Sequence, residues 1–129
     1  ADTLPFAYGH LAPEWQARTT LIGLLAPGLR TGFQISVGGW LGMATGDQGV
    51  VEAAATLPLP RVLCVQGEDE GEASACRDPR LGSAARLAIP GGHHFDGNYD
   101  ALAARIRAAI LQGPAAALAA PPAEAEAAN

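Results

Sequence analysis

Three apolar runs divide the chain, and they predict three buried strands. The runs are Thr19–Ala26, Arg61–Gln66 and Ala84–Ile89, and a proline or a glycine follows each one directly. Continuous apolar runs of this length are typical of strands that are buried on both faces of a parallel sheet. Between the first two runs, Phe33–Val37 alternates apolar and polar residues, which predicts a strand with one solvent-facing side.

Helical patterns lie around these strands. Residues 1–10 and the stretch Leu11–Trp15 each predict a short helix, and Val50–Thr56 predicts one or two helical turns. The clearest helix is predicted for Asn98–Leu111, because it carries an apolar stripe opposite two arginines. The stripe consists of Leu102, Ala103, Ile106, Ala109 and Ile110, and the arginines are Arg105 and Arg107.

The alternation of strands and helices predicts an α/β fold with parallel strands. The chain has 129 residues, of which 49% are apolar, so it is long enough for one core and too short for two. Residues 113–129 are mostly alanine, proline and glutamate and have little to bury, which is typical of a disordered tail. We therefore expect one domain over residues 1–112, followed by the tail 113–129.

Polar side chains follow the second and third predicted strands at the point where each strand ends. Gly67 is followed by Glu68, Asp69, Glu70 and Glu72, and the glycine-rich stretch Pro90–Gly97 holds His93 and His94. Functional groups of α/β sheets collect at the carboxyl ends of the strands. A carboxylate that accepts a hydrogen bond from one imidazole nitrogen fixes the tautomer, so that the other nitrogen can take a proton from a nucleophile. The order of the acidic loop and then the histidine loop along the chain predicts the acid and the histidine of such a triad. It does not decide which carboxylate and which histidine they are.

Composition excludes several function classes. All eight basic residues are arginines, they are scattered, and the net charge is −5, so we expect no direct contact with nucleic acid. No apolar run approaches the ~18–20 residues that span a bilayer. Adjacent side chains seldom point the same way, so His93 and His94 form a poor metal site. We expect neither a metal nor a cofactor.

The two cysteines have different surroundings in the sequence. Cys64 lies inside an apolar run, whereas Cys76 lies in a polar loop. We expect Cys64 to be a small buried hydrophobic residue rather than half of a disulfide. The alternative, a Cys64–Cys76 disulfide, requires export to an oxidising compartment.

Three stretches of the chain closely resemble the VirJ/AcvB-type family of bacterial virulence proteins. They are Val37–Gly42, Leu63–Glu70 and Pro90–Tyr99, and Ala1–Phe6 resembles the residues that follow the Gly-x-Ser-x-Gly nucleophile elbow in that family. The resemblance runs from the first residue to about Leu111. It implies the C-terminal part of an α/β-hydrolase, with a mostly parallel sheet flanked by helices, that lacks the nucleophile elbow. The missing N-terminal part of the domain would then cover an exposed sheet edge.

The same resemblance implies a periplasmic serine hydrolase. AcvB-type members are linked to hydrolysis of lysyl-phosphatidylglycerol, and VirJ-type members are linked to type IV secretion. Carried onto this chain, the catalytic histidine is His94, because it directly precedes Phe95 as in many hydrolases, and Asp69 or Glu70 orients it. His93 supports the loop and contributes to the substrate site, although the roles of the two histidines could be exchanged.

Two residues outside these loops are candidates for substrate binding. Gly39 lets a ligand approach the backbone, and Trp40 offers an apolar wall, although ordinary packing explains Trp40 equally well. The expected substrate is an ester such as an aminoacyl lipid. The sequence contains no Gly-x-Ser-x-Gly, and Ser36, Ser74 and Ser83 have other contexts, so we expect this chain alone to be inactive.

Two other function classes remain open from the sequence. One is a non-catalytic interaction module of a type IV secretion or virulence system, whose partners are the proteins of that system. The other is a generic carboxylesterase.

Overall fold

The computed structural model of the protein describes residues 4–31 and 48–119. It contains five α-helices and five strands in this part of the chain. The helices are α1 (Leu4–Gly9), α2 (Pro13–Arg18), α3 (Val50–Ala54), α4 (Tyr99–Gln112) and α5 (Ala116–Ala119). The strands are β1 (Ile22–Leu25), β2 (Arg30–Thr31), β3 (Gln48–Gly49), β4 (Val62–Gly67) and β5 (Ala85–Ile89). Short 3₁₀ turns cover Leu59–Arg61, Glu68–Ala73, Ala75–Arg77, Pro79–Leu81 and Phe95–Gly97.

The three strands predicted from apolar runs form one parallel sheet in the order β1-β4-β5. Ile22 lies opposite Val62, and Gly67 lies opposite Ile89. Every residue of β4 is buried, because β4 is the central strand and both of its faces are covered. The predicted α/β class with parallel strands is thus confirmed. The predicted strand Phe33–Val37 lies outside the described residues.

Each face of the sheet has its own apolar core, and side chains alternate between the two cores along β4. Val62 and Cys64 face a core that α3 covers with Val50, Val51 and Ala54. Leu63 and Val65 face the other core, which α4 and α5 cover with Leu102, Ala109 and Ala117. Full burial of a side chain such as Leu63, which is 0% exposed, stabilises the fold by about 1.5–3 kcal/mol.

Cys64 and Cys76 form a disulfide, with their Cα atoms 5.6 Å apart. The expectation that Cys64 is an unpaired hydrophobic residue is therefore wrong. The polar loop after β4 turns back onto the sheet, and the 3₁₀ turn Ala75–Arg77 brings Cys76 into the core beside Cys64. This return is a tertiary feature that the polar sequence around Cys76 conceals.

Helix α4 begins as predicted, but its buried face differs from the predicted stripe. The side chain of Asn98 accepts a hydrogen bond from the backbone N–H of Ala101 at 3.2 Å and so caps the helix. Leu102 and Ala109 are buried, whereas Ala103 is exposed and Ile110 is 58% exposed. The sheet contacts a narrow face of α4, and Ile110 is rotated about 100° from Ala109 around the helix axis.

The described fold continues beyond the predicted boundary at Gln112. Helix α5 packs against α4, and Ala117 is 0% exposed. The Arg105 guanidinium donates hydrogen bonds to the carbonyl oxygens of Ala117 and Leu118, at 2.8 and 3.0 Å. The first part of the segment predicted to be a tail therefore has a defined place on the fold, and residues 120–129 lie outside the described part.

One edge of the sheet has an adjoining apolar groove. Among the described residues, β1 pairs with β4 only. A groove of about 360 Å³ lies beside β1 and is lined by Leu4, Ala7, Tyr8, Leu11, Thr19, Leu21, Ile22 and Gly23. In the described part of the chain, no helix is long and apolar enough to cross a membrane.

Candidate functional site

The carboxyl ends of β4 and β5 lie side by side, and the acidic loop and the histidine loop begin there. The backbone N–H of Asp69 donates to the carbonyl of Gly91 at 3.0 Å, which joins the two loops. The end of β1 is joined to the same region, because the backbone N–H of Ala75 donates to the carbonyl of Pro27 at 2.8 Å. This arrangement follows from the parallel sheet, and it is the edge at which α/β proteins bind ligands.

The two loops approach so closely that glycine is required at the contact. A Cβ atom on Gly67 would lie 2.5 Å from the carbonyl oxygen of Gly91 and closer still to that of Gly92. Gly91 has a φ of +99°, and a Cβ atom there would meet the Asp96 carboxyl carbon at 2.5 Å. A side chain at Gly67 would push the histidine loop away from the acidic loop, and a side chain at Gly91 would distort the histidine loop itself.

Glu70 is the carboxylate that contacts a histidine. Its Oε1 lies 3.1 Å from Nδ1 of His93, and its Oε2 accepts a hydrogen bond from the Gly67 backbone N–H at 2.8 Å. The Glu70 side chain is only 13% exposed, whereas that of His93 is 65% exposed. Both carboxylate oxygens are therefore fixed, and the imidazole that they orient is open to solvent. A proton on Nδ1 leaves Nε2 as the acceptor, which is the tautomer that a general base needs.

The other two predicted catalytic residues lie nearby without sharing this contact. The His94 ring is exposed, and its centroid lies 5.4 Å from that of His93, with the two planes at 83°. Asp69 is exposed, and in the described part of the chain its side chain makes no hydrogen bond to a histidine. The sequence left Asp69 and Glu70 unresolved and favoured His94; in the structure the paired residues are Glu70 and His93. Which histidine is catalytic stays a prediction.

Phe95 anchors the histidine loop from below, a role that the sequence did not reveal. Its side chain is 4% exposed and lies in the core between the sheet and α4. Phe95 and Asp96 have φ values of 52° and 51°, a conformation that costs such residues about 1–3 kcal/mol each. The buried ring offsets this cost and holds the two preceding histidines at the surface.

Neither of the described serines makes a hydrogen bond to the His93 ring. Ser74 is buried, and its Oγ accepts a hydrogen bond from the Cys76 backbone N–H at 3.2 Å. Ser83 is exposed in the turn before β5. Ser36 lies outside the described residues, as do Gly39 and Trp40, two of the three predicted substrate-binding residues. Within residues 4–31 and 48–119, no group of three histidine, cysteine, aspartate or glutamate side chains could hold a metal ion.

Among the described residues, the ionisable groups with shifted pKa values lie outside this site, around Arg80. Its guanidinium contacts Asp78 at 3.0 Å and Glu52 at 2.9 Å. The hydrogen bond from Arg80 lowers the pKa of Asp78. A hydrogen bond from its own backbone and then the contact with Arg80 lower the pKa of Glu52. This cluster joins α3 to the 3₁₀ turn Pro79–Leu81, so its role is structural.

Comparison with known proteins identifies the family. The family model for the bacterial virulence protein VirJ matches residues 1–113, which is most of the chain. No curated protein and no solved structure matches the sequence. The matched segment includes both loops of the candidate site. The chain therefore belongs to the VirJ family of bacterial virulence proteins.

Proposed function

We propose that this chain supplies the acid and the histidine of a serine ester hydrolase. The observation that carries the proposal is the hydrogen bond between Glu70 and Nδ1 of His93, at 3.1 Å. It lies at the carboxyl edge of a parallel sheet, where catalytic groups of α/β enzymes collect. The exposed imidazole and the largely buried carboxylate have the accessibility that a base and its orienting acid require.

In this proposal His93 acts as general base and then as general acid. Its Nε2 takes the hydroxyl proton as the serine oxygen bonds to the acyl carbon, and it returns that proton to the alcohol as the ester C–O bond breaks. A water molecule then cleaves the acyl-enzyme by the same route. Glu70 holds the tautomer and stabilises the imidazolium.

The serine nucleophile lies outside the described residues in this proposal. The edge of β1 supports this, because β1 pairs on one side among the described residues and has an apolar groove beside it. Such an edge accepts a further parallel strand. The strand we propose for it is one that ends in a Gly-x-Ser-x-Gly elbow and belongs to the same α/β-hydrolase domain.

The substrate that we propose is an ester with a cationic acyl group, such as an aminoacyl phospholipid. Glu68, Asp69 and Glu72 are exposed on the loop that carries Glu70, and Asp96 is exposed on the histidine loop. These carboxylates favour a positively charged group near the site and disfavour an anionic one. The lysyl group of lysyl-phosphatidylglycerol has the matching charge.

We also propose that the protein works in the periplasm. The Cys64–Cys76 disulfide supports this location, because disulfides persist in oxidising compartments and are rare in the cytosol. Fractionation of cells followed by thiol counting tests it. A reduced protein confined to the cytosol would contradict the proposal.

The catalytic proposal is tested on the full-length gene product with lysyl-phosphatidylglycerol in vesicles. We expect His93→Ala to reduce kcat by about 10²–10⁴-fold, the usual contribution of a general base. Glu70→Gln should also lower kcat strongly, while Glu14→Gln, which changes an exposed carboxylate on α2 outside both loops, serves as the matched control and should keep normal turnover. Wild-type turnover in His93→Ala would refute the role of His93, and loss of turnover in His94→Ala alone would assign the base to His94.

A second candidate is a non-catalytic interaction module of a type IV secretion or virulence system. It is favoured by one observation: in the described part of the chain, neither Ser74 nor Ser83 makes a hydrogen bond to His93. The full-length protein would then hydrolyse neither the lipid nor simple acyl esters, and it would bind secretion-system proteins equally well with or without His93. Hydrolysis of simple acyl esters without preference for cationic groups would instead indicate a generic carboxylesterase.

A further inference from the structure

The disulfide encloses the candidate acid. Cys64 lies in the middle of β4, and Cys76 lies in the 3₁₀ turn that follows the acidic loop. The chain between them contains the end of β4 and the whole turn Glu68–Ala73. Glu70 is therefore carried on a covalently closed ring whose cysteines are 1% and 5% exposed. The bond lies in the core beneath the loop, where it links the loop's far end to the central strand.

The ring segment between the cysteines has little regular structure of its own. Glu68–Ala73 is formed by 3₁₀ turns that are interrupted at Gly71, where φ is +52° and ψ is −132°. Hydrogen bonds of 3₁₀ turns have poorer geometry than those of α-helices. The loop also carries four carboxylates, Glu68, Asp69, Glu70 and Glu72, which repel one another. Its position therefore depends on how its two ends are held.

The two ends are held by different means. The first end is fixed by two hydrogen bonds: the Asp69 backbone N–H donates to the carbonyl of Gly91, and the Gly67 backbone N–H donates to the Glu70 carboxylate. The second end is fixed by Ala75, which is 0% exposed and donates to the carbonyl of Pro27. The disulfide adds a covalent link from this second end to β4. Without that link, the second end is joined to the sheet through the end of β1.

We infer that the Cys64–Cys76 disulfide positions Glu70 for its contact with His93. When the bond is absent, the segment around Cys76 leaves β4, the loop from Glu68 to Ala73 rearranges, and the hydrogen bond to Nδ1 of His93 is lost while the parallel sheet persists. The two cysteines are thus positioning residues that act through Glu70. The hydrogen bond between Glu70 and His93 can be measured without any enzymatic reaction. Only the effect of the disulfide on catalysis rests on the proposed function.

The imidazole tautomer of His93 reports this positioning directly. The 129-residue chain is labelled with ¹⁵N in its histidine rings, and the Nδ1–H and Nε2–H forms are distinguished by NMR at a pH where the ring is neutral. We expect the Nδ1–H form of His93 to predominate in the wild type. In the double variant Cys64→Ala/Cys76→Ala, the fraction of His93 in the Nδ1–H form should fall to the value measured for Glu70→Ala, which has no carboxylate to bind Nδ1.

A matched control separates positioning from a general loss of stability. Val62→Ala removes buried atoms from the same strand and the same core as Cys64, and it leaves the disulfide intact. It should keep the wild-type tautomer. A double variant that is folded and keeps the wild-type Nδ1–H population would overturn the inference, as would an equal loss of that population in Val62→Ala.

If the double variant does not fold, hydrogen exchange tests whether the disulfide holds the loop that carries Glu70. The wild-type chain is compared before and after reduction by a dithiol, which converts the disulfide to two thiols and is itself oxidised to a cyclic disulfide. The exchange rates of the backbone amides between Cys64 and Cys76 should increase on the order of a hundredfold, because this is the chain-entropy effect expected for a ring of this size. The exchange rates of the β5 amides should change little. A uniform increase in both segments would overturn the inference. If the double variant loses the Nδ1–H form as expected but His93→Ala keeps full hydrolase activity, the proposed function is wrong and the inference about the disulfide stands.

Discussion

The close contact between Gly67 and the histidine loop makes a steric prediction. Gly67 has φ −74° and ψ 141°, which alanine adopts without strain. Its added Cβ would nevertheless lie 2.5 Å from the carbonyl oxygen of Gly91 and closer to that of Gly92. Both obstacles are backbone atoms, so no side-chain rotation can relieve the overlap. Gly67→Ala must therefore displace one loop from the other.

The magnitude follows from three contributions. Overpacking against a well-packed neighbour costs about 1–3 kcal/mol. The displacement also weakens the hydrogen bond from Asp69 to Gly91, which contributes about 0.5–1.5 kcal/mol. Alanine in place of glycine also lowers the conformational entropy of the unfolded chain, which stabilises the folded state by about 0.4–1 kcal/mol. The free energy of unfolding should therefore fall by roughly 0.5–4 kcal/mol.

Urea denaturation followed by circular dichroism measures this change, with Gly23→Ala as the matched control. Gly23 also lies in a strand of the parallel sheet, but a Cβ atom there would meet nothing within 4 Å. Its substitution should leave stability unchanged or raise it by about 0.4–1 kcal/mol. Equal midpoints for Gly67→Ala and Gly23→Ala, at an unchanged m-value, would refute the close approach of the two loops.

Three further predictions concern other parts of the fold. Phe95→Ala should lower the free energy of unfolding by about 3–5 kcal/mol in the same assay, because it empties a buried site; a loss below about 1 kcal/mol would show that the ring does not anchor the loop. Gln66→Met should be neutral or stabilising, because the buried Oε1 of Gln66 has no hydrogen-bond partner among the described residues, and a loss of more than about 1 kcal/mol would contradict this. Arg80 lowers the pKa values of Asp78 and Glu52, so its stabilisation is present above the unfolded carboxyl pKa of about 4 and is lost as the pH falls through the lower folded values. The melting temperature of Arg80→Met should therefore fall less on acidification than that of the wild type, and parallel curves would contradict the ion cluster.

The sheet could be predicted from the sequence because its strands are buried on both faces. Val62–Gly67 lies between two other strands and under helices, so nearly every position is apolar and the run is visible without any knowledge of the fold. The meeting of the acidic and histidine loops followed from the parallel order alone. The choice of Glu70 over Asp69 did not, because it depends on how the 3₁₀ turn directs each side chain.

Other features depend on contacts that leave little trace in a single sequence. The disulfide was only the less favoured alternative from the sequence, because Cys76 lies among charged residues and returns to the core only through the turn at Ala75–Arg77. The packing of Ala117 was missed because an alanine-rich segment looks alike whether it is buried or disordered. His93 and His94 are adjacent and chemically identical, so only the conformation of the loop selects the one that contacts Glu70.

A double-mutant cycle on the full-length protein tests the central claim, that Glu70 acts through His93. The second-order rate constant kcat/KM for ester hydrolysis is measured for the wild type, Glu70→Gln, His93→Ala and the variant with both changes. If the pair is one unit, the double variant should be no slower than His93→Ala alone, because Glu70 has no imidazole left to orient. If the two losses multiply, Glu70 and His93 contribute independently and the account is contradicted.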